Sequence, residues 1–471
     1  MTDEGPCLLS AVAQRALIER GELSSRELVA ASLARIARLD PKLNAIVTLV
    51  GDEAIRGAAE ADERQARGEQ LGILHGLPVV HKDLHETRGI RTTYGSPIHA
   101  DFIPSFDALI VERQRRAGAI ALGKTNTPEF GAGSQTYNTV FGATANPYDP
   151  SKTCGGSSGG TAVALACRFA SLGDGSDMGG SLRNPASFCN VVGLRPSPGR
   201  VPEWPRDQAW FTLSVPGPMG RTVEDTALLL AAIAGPDERS PIALPDPGAI
   251  FLGALETDLR GKRIAWSPRW GGLPVARDVM ATLERAVPAF EQLGCEVIRE
   301  DLDLRDADEI FLTLRAWYFE RRFAPLVESH PDRVKESIVW NVEQGRALRG
   351  SDVARAEVLR TRLYDRTRAF FRRFDYVIGP VTQVLPFDIG EPYPRDIDGA
   401  AMGSYVEWMK SCYWISATGL PALSVPAGFS TGGLPVGLQI VGPYRGDLTV
   451  LRLGYAFQQV TSFGSRRPPA D

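Results

Sequence analysis

Two short segments of this chain place serines among glycines: Cys154-Gly155-Gly156-Ser157-Ser158-Gly159-Gly160, and Asp177-Met178-Gly179-Gly180-Ser181-Leu182-Arg183. Glycine permits positive φ and close backbone approach, so such loops can aim several N–H groups at one point. Acyl transfer requires that arrangement around its nucleophile, because the tetrahedral intermediate carries an oxyanion. The consecutive amides of Met178, Gly179, Gly180 and Ser181 are the candidate donors. On glycine content alone, a turn without chemistry or a phosphate cradle is the alternative. The phosphate reading fails in detail. Neither segment matches G-x-x-x-x-G-K-[ST], and neither is a G-x-G-x-x-G between strand and helix. The G-x-S-x-G elbow of α/β-hydrolases is missing as well.

A serine nucleophile needs a base. The histidines are His75, His81, His85, His99 and His330, and counting alone leaves a Ser-His-Asp triad open. His81 and His85 have i, i+4 spacing, but the motif is H-K-D-L-H and not H-E-x-x-H, so a role on a polar surface is expected and no metal site. Lys82 follows Leu77-Pro78-Val79-Val80, a run typical of a buried strand. Desolvation there favours the neutral amine and makes it a usable base. An ordinary exposed lysine at a strand end is the competing reading.

The elements around these segments alternate. Ser24 and Glu27 form a capping box ahead of a helix with Leu28, Ala31, Leu33, Ile36 and Leu39 at helical spacing. Further helices are predicted over 53–67, from 108 towards a strand at 119–122, and over 223–234 and 278–293, with several more in 306–374. Strands are predicted at 262–266, 295–299, 376–380, 422–425 and 436–441. Residues 131–160 have loop composition. Such alternation predicts a large α/β fold, with a central mixed twisted β-sheet flanked by helices on both faces. One domain over 1–471 is expected, with a catalytic core at about 65–205 and a variable substrate-pocket region at about 235–410.

A net charge of −4 leaves no basic footprint for nucleic acid, and no run of eighteen apolar residues predicts a membrane span. Met1 to Ala11 lacks the pattern of a secretory signal. The six scattered cysteines, with no C-x-x-C pair, fit reduced buried thiols. A cytoplasmic enzyme without cofactor or metal, monomeric or homodimeric, is the expectation.

Together these segments resemble the amidase signature family. The likeness runs from Lys82 to Pro202 and continues more weakly to Gly419-Leu420-Pro421-Ala422 and Gly433 to Gln439. G-G-S-S-G-G followed by D-M-G-G-S-L-R-N-P-A-S-F-C carries it, with Ser157 and Ser181 24 positions apart, the family's usual spacing. G-L-P-V-V-H-K-D resembles the segment with the family's catalytic lysine. The resemblance implies a Ser-cisSer-Lys triad: Ser181 as nucleophile, Ser157 as a bridging serine after a cis peptide bond, and Lys82 as base. It further implies that Ser158 hydrogen-bonds around the lysine. Asp177 and Arg183 are expected to brace the nucleophile loop, and Gly131, Ala132 and Gly133 to line the acyl pocket. Three residues depart from the pattern, Cys154, Ser176 and Asn184, and all are expected to stay clear of the triad.

The expected substrate is a small amide or carbamate. Trp204, Trp210, Phe211, Trp317, Tyr318, Trp408, Tyr413 and Trp414 are bulky aromatics in the variable region; most are expected in the core and a few in the cleft. Aryl amides, aryl esters and urethanes would suit such a cleft. The alternatives are the glutaminase subunit of a tRNA-dependent amidotransferase and a catalytically dead binding protein.

Overall fold

The computed structural model describes residues 5–469. Within the stretch from Met1 to Ala11, residues 1–4 therefore lie outside the described residues. Eleven strands form one mixed sheet. They are β1 (Ile46–Leu49), β2 (Pro78–Lys82), β3 (Ile120–Thr125), β4 (Leu172–Asp177), β5 (Val192–Arg195), β6 (Val215–Gly220), β7 (Arg263–Trp266), β8 (Glu296–Arg299), β9 (Tyr376–Pro380), β10 (Ala422–Phe429) and β11 (Pro435–Val441). The spatial order is β1-β3-β2-β4-β6-β5-β10-β11-β9-β7-β8. β2 runs parallel to both β3 and β4, whereas β4, β6, β5, β10, β11 and β9 are successively antiparallel.

Side chains alternate across a strand, so neighbours serve different faces. Val79 packs with the helices Val223–Ile233, Arg277–Ala286 and Asp447–Thr461, while Val80 packs with Gly159–Ala166 on the other side. Val377 likewise faces Ala307–Ser329 and Gly350–Phe370, with Tyr376 and Ile378 on the first side. The chain is a single α/β domain with helices on both faces of a large mixed sheet.

Local chemistry explains the agreements and the differences. Ser24 and Glu27 make the reciprocal capping bonds at the start of Ser25–Leu39. The helix predicted over 278–293 is two, Arg277–Ala286 and Pro288–Gln292. Pro288 supplies no N–H to continue the first. β4 and β6, L-G-D-G-S-D and V-P-G-P-M-G, have compositions that read as loop, yet both lie inside the sheet. Pairing on both edges overrides their poor intrinsic strand preference.

Candidate active site

Lys82 ends β2, at the carboxyl end of the parallel β3-β2-β4 group where α/β folds bind ligands. Its side chain is fully buried. The Nζ donates to Ser157 Oγ at 2.7 Å and to Ser176 Oγ at 3.2 Å. Burial pushes the ammonium down to about 7, against the opposing pull of the Asp177 and Asp174 charges.

The Lys82 main chain is anchored through Asp174, a buried carboxylate on β4. Its Oδ1 accepts from Lys82 N–H and His85 Nδ1, both at 2.9 Å. Its Oδ2 accepts from His81 Nδ1 at 2.6 Å and Gln114 Nε2 at 2.7 Å. Burial opposes ionisation of Asp174, but the His85 and His81 imidazoles outweigh it and hold the carboxyl well below its usual range. The expectation of a polar-surface role for these histidines is therefore corrected. Both are buried, clamped by Nδ1 on a carboxylate behind the lysine.

Ser157 follows a cis Gly156–Ser157 peptide bond. Hydroxyls hold this loop: Ser134 Oγ donates to Gly156 O at 2.6 Å, and Thr136 Oγ1 to Gly155 O at 2.8 Å. Asn184 Nδ2 donates in turn to Ser134 Oγ at 2.8 Å. Two of the departing residues thus reach Lys82 and the loop of Ser157 after all. Ser176 takes a hydrogen bond from Lys82, and Asn184 supports the loop that carries Ser157. Ser158, expected around the lysine, donates to the carbonyl of Ser176 at 3.5 Å, the residue whose hydroxyl meets Lys82. The second hydroxyl on Lys82 belongs to Ser176.

Ser181 lies in the turn between β4 and the helix Arg183–Phe188, and its carbonyl accepts from Ser158 N–H at 3.2 Å. Asp177 organises that turn from inside. It accepts from Gly180 N–H at 2.9 Å, Leu182 N–H at 3.1 Å, and Arg183 Nε and Nη2 at 2.9 and 2.8 Å. The Gly180 amide is thus turned to Asp177 and away from an oxyanion, which leaves Met178, Gly179 and Ser181 as candidate donors. Gly180 has φ +115°, and a Cβ there would sit 2.6 Å from Cys412 Cβ, so the turn requires glycine.

Arg183 extends the brace to Cys412 O, Ser416 Oγ and Gln439 Oε1, and Arg195 adds a second buried cation on Asp177. Burial raises the cost of a charge on Asp177, but Arg183 and Arg195 overcome it and hold the carboxyl far below its usual range. Removing one partner of such a cluster leaves an uncompensated buried charge. Asp177→Ala is expected to cost about 3–5 kcal/mol in denaturant unfolding; a loss under about 1 kcal/mol would mean that Arg183 and Arg195 find other partners.

Ser157, Ser176, Ser181, Met178 and Gly131 border one cavity of about 160 Å³. Gly131 (φ +71°) lies over Ser157, since a Cβ there would be 3.4 Å from Ser157 Oγ and 2.9 Å from Leu84 Cδ1. The other two expected pocket residues do not border the cavity: Ala132 is buried against Phe319 and Phe323, and Gly133 backs onto Tyr405. Of the eight aromatics named from sequence, Trp204 and Tyr318 line the cavity, and Phe211 stacks on Tyr318 at 4.6 Å. Trp408 and Tyr413 are core, and Trp210 is exposed. Phe130, Phe319, Phe323 and Arg315 were not anticipated as lining residues. The i, i+4 spacing of Phe319 and Phe323 was the legible signal of one apolar helix face.

A family model described as Amidase matches residues 27–451. The chain belongs to the amidase signature family. It is 34% identical to an acylamidase of Rhodococcus erythropolis, over 99% of this chain and 98% of that protein. It is also 34% identical to a glutamyl-tRNA(Gln) amidotransferase subunit of Thermosynechococcus vestitus, over 95% of this chain and 97% of that protein. The solved structure of a bacterial aryl acylamidase of the same family superposes with a TM-score of 0.90 at 29% identity, covering 98% of this chain and 99% of the other. This amidase is a hydrolase of amide C–N bonds. No helix among its described residues is long and apolar enough to cross a membrane.

Proposed function

We propose that this amidase cleaves small amides through an acyl-enzyme on Ser181, with Ser157 and Lys82 as the proton relay. The observation that carries this reading is the 2.7 Å contact between a fully buried Lys82 amine and Ser157, in a cavity that Ser181 shares. Neutral Lys82 takes the proton of Ser157, which takes that of Ser181 as its Oγ attacks the carbonyl carbon. Amides of Met178, Gly179 and Ser181 receive the oxyanion. On collapse the C–N bond breaks and Ser157 returns a proton to the departing amine. Water then attacks the ester of Ser181 by the same relay, releasing the acid.

Phe130, Tyr318, Phe319 and Phe323 give the cavity aromatic walls. Its volume is of the order of the ~150 Å³ that holds a benzene ring. Small N-aryl amides, aryl esters and aryl carbamates are the substrates this supports. The expected result is turnover of at least one of 4-nitroacetanilide, 4-nitrophenyl acetate and a phenyl carbamate at the purified chain alone; inertness towards all of them would sink the aryl preference. The second reading, the glutaminase subunit of an amidotransferase, is favoured by the 34% identity to such a protein. It predicts glutamine hydrolysis that depends on added partner proteins.

A further inference from the structure

We propose that the substrate carries a carboxylate that Arg315 binds, so that the cavity selects an amide with one anionic arm; this rests on the hydrolase reading above. Arg315 projects from the helix Ala307–Ser329, is only 5% exposed, and borders the same cavity as Ser157 and Ser181. Its protein partners are all neutral. Nε donates to Asn341 Oδ1 at 3.0 Å, Nη2 to Tyr405 OH at 2.7 Å, and Nη1 to Met178 Sδ at 3.4 Å. The Phe319 ring lies 4.2 Å below the guanidinium carbon.

Other arginines near the site are paired, among them Arg206, which borders the cavity and meets Glu203; Arg322 borders it too and donates to Tyr318 OH at 3.3 Å. Arg183 and Arg195 meet Asp177, and Arg200 meets Asp447 and Asp246. Among the described residues, none of the ion pairs involves Arg315. The acids of this cavity and of the adjoining one are taken elsewhere: Glu203 by Arg206, Glu86 by Tyr94 OH, Asp308 by Tyr413, Trp414 and Lys410, and Glu407 by Gly403 N–H and Ser404. A desolvated cation without a counter-charge is costly, and a cation–π contact offsets only part of that.

A guanidinium has five N–H donors in a fixed fork. Two of them end on oxygen and a third on a soft sulfur acceptor, which leaves donors for a carboxylate arriving from the cavity. The Met178 contact places this cation next to the turn that holds Ser181. A carboxylate bound there would sit a few bonds from the scissile carbonyl. The substrate class is therefore a carboxylate-bearing amide: the mono-anilide of a short dicarboxylic acid, or an anilide whose amine half is an aminobenzoate.

The test compares matched pairs. Succinic acid mono-4-nitroanilide against butyric 4-nitroanilide reads a carboxylate on the acyl side, and N-acetyl-4-aminobenzoate against acetanilide reads one on the amine side. The wild type is expected to prefer the charged member of one pair. That ratio of kcat/KM should fall about 30-fold or more in Arg315→Gln and partly return in Arg315→Lys. An equal fall for charged and neutral members would make Arg315 a mere brace of Met178 and overturn the proposal; so would a ratio that does not move. Calorimetric binding of the mono-anilide to Ser181→Ala, with and without Arg315→Gln, separates the two readings. Binding that needs Arg315, in a chain that turns over neither member, would leave the carboxylate site standing and the hydrolase reading fallen. No binding and no charge preference would remove the site itself.

Discussion

Ser181→Ala is expected to lower kcat by about 10⁴- to 10⁶-fold on any substrate the wild type accepts, because the acyl-enzyme cannot form. The fold should survive. Asp177 holds this turn through the main-chain amides of Gly180 and Leu182 and through Arg183, none of which needs the Ser181 hydroxyl. An unchanged melting temperature beside lost activity is therefore the expected pair of results. Ser157 stands against the proposed base Lys82, so covalent labelling must decide which of the two serines attacks. Ser157→Ala is expected to cost about 10²- to 10⁴-fold, the usual range for losing acid–base assistance. A serine-reactive fluorophosphonate, read by peptide mass spectrometry, should label Ser181 in the wild type and nothing in Ser181→Ala. Residual activity within tenfold of wild type, or a label carried by Ser157, would move the nucleophile elsewhere.

The glycine-serine segments were legible as loops that can aim several N–H groups at one point, whereas Lys82 alone reads as an ordinary lysine at a strand end and became a candidate only through the family resemblance. The sequence also exposed the helices with caps and regular periodicity, such as Ser25–Leu39. What it hid was the strand between the two serine segments. β4 reads L-G-D-G-S-D, and without knowing it as a strand there is no reason to place Asp174 and Ser176 on one face. Once the strand exists, the two-residue period puts both against Lys82, one at its main chain and one at its amine. The same strand turns His81 and His85 from surface candidates into the partners of a buried carboxylate. The pocket walls were hidden for another reason. Phe130 and Phe323 stand in contact, with ring centroids 4.9 Å apart, although nearly two hundred positions separate them. Only tertiary packing brings the helix Ala307–Ser329 over the serines; its periodicity groups Phe319 and Phe323 on one face but does not record what that face covers.

A lysine that works as a base must be neutral, and that fixes how activity should depend on pH. At its ordinary value near 10.4, less than about one lysine in a thousand would be neutral at pH 7. Burial brings Lys82 to about 7 although the Asp177 and Asp174 charges resist, so roughly half the molecules are competent at neutrality. The profile of kcat/KM is therefore expected to fall about tenfold per unit below pH 7 and to level off above about pH 8. A rate flat from pH 6 to 9, with chemistry shown to be rate-limiting, would exclude Lys82 as the base. Lys82→Met should be inactive across that range, and it carries a second signature. Between about pH 7 and 10 the unfolded lysine binds a proton that the folded one does not, so wild-type stability should rise with pH, by at most about 1.4 kcal/mol per unit. Lys82→Met has no such group and should lose that slope, whatever the other titrating residues contribute to both chains. Denaturant midpoints at pH 7 and 9 for the two proteins measure the difference; parallel shifts would mean that Lys82 keeps its proton in the fold, and the relay would then need another base.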